Sequence, residues 1–144
     1  MWIFVKLFYL HTAYVLAGLP EETFHITKGN YLMDLHWFHR AISNYQKALR
    51  ETQDPRVHLA IGFCFMRQGK FHDSVEHYRI GYEKLKQPDI ALMLAISEYK
   101  TGNLNRCREL VRQLEGHEHE LYLNNNAVLE KLKTKLNEKS KVLA

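Results

Sequence analysis

Residues 55–86 read PRVHLAIGFCFMRQGKFHDSVEHYRIGYEKLK. Apolar residues recur here at helical spacing on both sides of Gly69, so the stretch predicts two antiparallel helices joined by a turn. The flanking sequence repeats it at a constant offset of 33 residues. Pro55 recurs as Pro88, Gly69 as Gly102 and Tyr45 as Tyr78. Phe38, Phe71 and Leu104 are in register, as are the small residues Ala41, Ser74 and Cys107. Gly29 and Gly62 continue as Ala95. A fixed period of this length marks a stack of like supersecondary units. One helical hairpin cannot bury its apolar faces alone, whereas stacked neighbours make a continuous core. The small residues belong where helices approach closely and a larger side chain would hold them apart.

Working outward, Pro20-Glu21-Glu22 opens a helix over 21–33, and a second helix follows from Phe38 to about Glu51. The central unit places helices near 56–67 and 71–86, and the third near 89–100 and 104–115. The segment 117–125 has no clear pattern. After Asn126, Leu129, Leu132 and Leu136 form one apolar stripe among lysines and glutamates, which predicts a helix capping the last hydrophobic face. Residues 1–19, MWIFVKLFYLHTAYVLAGL, are dense in apolar and aromatic side chains. A basic leader is missing, Lys6 and His11 interrupt the run, and Gly18 and Pro20 close it. We read residues 2–17 as a helix packed on the first unit, with an export or membrane segment as the alternative.

These residues resemble the tetratricopeptide repeat. The resemblance is carried by Gly62, Phe65, Gly69, Phe71, Ser74, Tyr78 and Pro88, and by their counterparts over about residues 21–115. It departs from the pattern at His36, which stands at the turn glycine, and at Val111 and Leu114, which replace an aromatic and a small residue. Glu98 stands where Leu32 and Phe65 lie, and is expected to reach solvent or an amide partner, so the outer surface of the third unit is expected to be partly solvated. The resemblance implies an all-α fold, a right-handed superhelical stack of three hairpins with an added helix at each end. The implied single domain divides into an N-terminal helix (1–19), three repeats (21–54, 55–87 and 88–116) and a capping helix (117–144). A weaker resemblance, through Gly62, Cys64, Gly69, His77-Tyr78, Gly81 and Pro88, is to the class II type III secretion chaperones. That bacterial family is built of similar units and keeps apolar client segments in solution.

A second register runs along the first helix of each unit. Ile26, Leu59 and Leu92 match, then Asn30, Phe63 and Ile96, then Met33, Met66 and Tyr99. At i, i+4 and i+7 these share one helix face, the face that lines the concave groove in tetratricopeptide-repeat proteins. Arg67 and Lys100 follow at the helix ends, where they could contact a carboxylate. An apolar groove implies an interaction surface, and the two methionines adapt to varied apolar partners. The expected occupant is an apolar or amphipathic helix of another protein. Intramolecular filling by a terminal helix and a homodimer are the other candidates.

Length and composition fit one globular domain, with 144 residues, 46% hydrophobic and 25% charged, and two cysteines without a disulfide framework fit a cytoplasmic compartment. The net charge of +4 is mild, and the lysines gather near the C-terminus without interleaved aromatics, which argues against nucleic-acid binding. Cys64 and Cys107 lie inside expected helices and read as reduced core thiols. His25 and His58 are in register, as are His39 and His72, but one repeat of separation is too wide for a shared zinc. No nucleophile elbow, phosphate-binding glycine loop or zinc-protease motif occurs. We therefore expect no enzyme, no cofactor and no metal. The expected role is an adaptor or scaffold, with a secretion-type chaperone or a membrane-tethered assembly factor as alternatives.

Overall fold

The computed structural model describes residues 2–143, and side chains through residue 141. Its element order is α1 (Trp2–Ala17), α2 (Glu21–Asp34), α3 (Phe38–Ala48), α4 (Pro55–Arg67), α5 (Phe71–Leu85), α6 (Pro88–Thr101), α7 (Leu104–Leu114) and α8 (Asn125–Leu143). A single 3-10 turn, Glu118–Glu120, fills the segment whose pattern was unclear. Among the described residues there is no strand. The helices pair as sequential hairpins, α2 with α3, α4 with α5 and α6 with α7, and each hairpin packs on the next.

Local chemistry sets the helix ends. At the start of α4, Asp54 accepts a hydrogen bond from the Arg56 backbone N–H at 2.9 Å, and Pro55 occupies the first turn, where its missing donor costs nothing. The hairpin turns at His36, Gly69 and Gly102 all take a positive φ, of 60°, 73° and 86°. The turn geometry therefore repeats every 33 residues even where histidine replaces glycine.

Close helix contacts fall at the small residues. A Cβ on Gly29 would lie 2.6–2.9 Å from the Tyr45 ring, so α2 and α3 meet at glycine against tyrosine. Gly62 faces Tyr78 in the same way but with more room, 3.3–3.4 Å. Ser74 and Ser97 share a buried hydrogen bond of 3.0 Å, which links α5 of one hairpin to α6 of the next.

Two core clusters result. One joins Leu32, Ala41, Ile42, Tyr45, Val57, Ile61 and Cys64. The other runs from Tyr78 through Leu94, Leu110 and Leu114 to Leu129, Leu132 and Leu136 of α8. The expected solvation of the third unit is not found. Val111 and Leu114 are buried, and Glu98, expected to reach solvent or an amide partner, is only 7% exposed. For Val111 and Leu114 the reason is α8, which packs on both α6 and α7 and shares their core cluster. It is tied down where the Asp89 carboxylate accepts from the Tyr122 backbone and the Asn125 side chain, and where Arg108 donates to Ser140 at 2.8 Å.

α1 forms as read, yet it is docked along one side only. Tyr14 bonds to Thr27 at 2.6 Å, and the His11 and Tyr14 rings meet Phe24 edge-on. None of its residues is fully buried.

Candidate functional site

The site predicted from the sequence lies on α2, α4 and α6, the first helices of the three hairpins. On α2, Ile26 and Met33 are half-buried against the first core cluster. Asn30 is exposed, and its side-chain oxygen accepts from the Tyr45 hydroxyl at 2.6 Å. The same hydroxyl lies 3.8 Å from the Met33 sulfur. Burial pushes the Tyr45 phenol far above its ordinary value, so it stays a neutral donor.

On α4, Phe63 is 40% exposed, a large apolar side chain left open in the middle hairpin. Leu59 and Met66 are half-buried against the second cluster, with Leu59 seated over Gly81 of α5. On α6, Ile96 and Tyr99 are half-buried, and the Lys139 ammonium of α8 sits 4.6 Å from the Tyr99 ring centre. Leu92 departs from the set. It has no exposure and belongs to the same cluster as Leu129, Leu132 and Leu136. Sequence spacing alone could not separate it from Leu59, because α8 has no counterpart at the other hairpins.

The two cations close the helices. Arg67 lies 6.0 Å from the Phe38 ring centre, and Lys100 lies 5.6 Å from that of Phe71. Both remain exposed, each over the aromatic residue that opens a second helix. The face is therefore an exposed phenylalanine among half-buried methionine, isoleucine and tyrosine, edged by two cations. It is less open than the sequence suggested.

Residues outside that register form a further concavity. Trp37, Phe38, His36, Arg40, Gln68 and Lys70, with Phe4 of α1, line an open cleft of about 780 Å³ beside the turns. The Arg40 guanidinium stacks 4.9 Å from the Trp37 ring centre. Both polar atoms of the Gln68 side chain are buried there without a hydrogen-bond partner among the described residues. The cleft arises where two turns and α1 come side by side, an adjacency that no single repeat encodes.

The chemistry of reactive groups is muted. Burial pushes the thiols of Cys64 and Cys107 up to about 11, so both are protonated at neutral pH. Among the described residues, no three histidine, cysteine or acidic side chains gather as a metal site. Among them also, no helix is long and apolar enough to cross a membrane.

No family model matches the chain, and no curated protein matches it. Among solved structures, it is similar to the TPR domain of Sgt2 from Aspergillus fumigatus, with a TM-score of 0.73 and 18% identity over 85% of this chain and 83% of that one. With its 33-residue register, its in-phase turns and its sequential hairpins, the chain has the tetratricopeptide-repeat fold.

Proposed function

We propose that the chain is a non-enzymatic protein-binding module that holds an apolar or amphipathic helical segment of a partner protein against α2, α4 and α6. The observation that carries this reading is Phe63. A phenylalanine 40% exposed at the centre of the stack leaves apolar surface in water that a partner would cover. Met33, Met66, Ile96 and Tyr99 are half-buried in the same register and extend the surface to either side. Arg67 and Lys100 at its edge favour a segment bearing carboxylates and act on association rate and salt dependence more than on final affinity.

A central aromatic is the usual seat of a binding hot spot. Phe63→Ala is therefore expected to weaken binding by roughly 2 kcal/mol, about thirtyfold. The experiment isolates partners with the wild-type chain and measures their affinity for a Phe63→Ala, Ile96→Asp variant whose helical circular dichroism matches wild type. Retention of every partner at wild-type affinity would remove this face as the site.

A further inference from the structure

α1 is apolar over most of its circumference, interrupted by Lys6 and His11, and the structure uses one side. Ile3, Leu7, Leu10 and Tyr14, spaced 4-3-4, are its half-buried stripe. Tyr14 anchors that stripe to Thr27 and Phe24 of α2. On the opposite side Trp2, Val5, Tyr9, Thr12 and Leu16 follow a 3-4-3-4 spacing. Trp2, Tyr9 and Leu16 are 77%, 67% and 87% exposed. The Thr12 hydroxyl bonds back to the carbonyl oxygens of Phe8 and Tyr9, so it makes no polar demand on that face. Phe4, Phe8 and Val15 flank the stripe and are also exposed.

We propose that α1 is a dimerisation helix, its outer stripe packing against the same stripe of a second copy of this chain. Two observations, and the economy of a two-fold contact, point to that occupant. The alternating three and four spacing is the seam by which one helix packs along another at a shallow crossing angle. The area is also right. The exposed side chains of the stripe, Trp2, Val5, Tyr9 and Leu16, offer on the order of 600 Å², within the range each partner gives to a stable interface. Finally, a two-fold contact needs only one patch, since the same surface serves both copies.

A lipid surface fits less well. Among the described residues no helix, α1 included, is long and apolar enough to cross a bilayer. α1 also lacks the basic polar face by which interfacial helices lie on headgroups, having Lys6 alone. An antiparallel crossing sets Trp2 opposite Leu16, brings Tyr9 near its own copy and opposes the helix dipoles. The contacts that anchor α1 to α2 fall on Phe24 and Thr27, outside the register of the proposed partner-binding face.

The test is sedimentation equilibrium of the full chain over micromolar concentrations. The expected mass is twice 17.1 kDa. Tyr9→Glu with Leu16→Glu should weaken association by at least roughly a hundredfold and leave helical circular dichroism unchanged. Should that variant misfold, Tyr9→Cys in the otherwise native chain gives a second reading. It should form an interchain disulfide under mild oxidation, the native cysteines being buried. A wild-type mass of 17.1 kDa throughout, or one that climbs past two copies, overturns the proposal. So does an undiminished dimer in the double glutamate variant, an absence of the Tyr9→Cys crosslink, or flotation of monomer with phosphatidylcholine–phosphatidylglycerol vesicles.

Discussion

Gly29 and Gly62 occupy the same place in successive repeats, and their surroundings make them unequal. A methyl group at Gly62 would press on Tyr78 and His77 at 3.3–3.4 Å, which a shift of a few tenths of an ångström relieves. The gain in helix propensity on replacing glycine, about 1 kcal/mol, works the other way. At Gly29 the methyl group would meet the Tyr45 ring at 2.6–2.9 Å. That ring is fully buried, and its hydroxyl is tethered to Asn30, so it cannot withdraw. Gly62→Ala should therefore stay within about 1 kcal/mol of wild type, while Gly29→Ala should lose roughly 1–3 kcal/mol through overpacking. Urea denaturation of the two variants checks the order, and equal stabilities would contradict it. The need for a small residue was legible from the 33-residue register at both positions. The difference between them was not, because it depends on how firmly the facing tyrosine is held.

The α4–α5 hairpin carries a pH dependence of its own. His58 and His77 share a hydrogen bond between their Nδ1 atoms at 3.0 Å, so one ring donates and the other, which accepts, is neutral. Burial lowers both below the ordinary 6.5; the His58 charge lowers His77 further, while Glu76 works against the shift on both rings and Asp73 against it on His77. A histidine depressed in the folded state binds its proton more readily when unfolded. The stability it contributes is complete above about pH 6.5 and is lost as the pH falls from there through the lower folded value. Melting temperature should fall between about pH 7 and pH 5, and His77→Gln should flatten that slope. An unchanged slope would show that the pair is not the titrating element. The two histidines were visible in the sequence as members of separate helices. Their pairing required knowing which faces of α4 and α5 meet.

At the scale of the whole chain, the period sufficed to place six helices in three hairpins, and apolar patterning at 2–17 and at Leu129, Leu132 and Leu136 placed the helix at each end. Helix ends followed from Pro55, Pro88 and the turns at His36, Gly69 and Gly102. What escaped the sequence were relations between elements that do not repeat. Leu92 is sequestered with α8, Trp37 and Gln68 share a cleft with Phe4, and α1 presents its apolar outer side to solvent. Each depends on where a terminal helix settles on the stack, and spacing within that helix does not contain the answer.

The two core clusters bear on how the molecule comes apart. Repeat stacks hold together through intrinsic unit stabilities and nearest-neighbour interfaces, so cooperativity can break at a weak junction. Here one cluster ends at Cys64 on α4, and the other begins at Tyr78 on α5 and is closed by α8. The C-terminal half has a sealed end, whereas the N-terminal half has only the half-docked α1 over it. Native-state amide hydrogen exchange should therefore resolve two cooperative opening units, with α2 and α3 exchanging through the less costly one and α6 and α7 close to the global limit. A single protection free energy shared by all helices would mean that the α4–α5 hairpin transmits unfolding without loss. Two values would make the N-terminal half the part that yields first, to heat, to proteases or to an arriving partner.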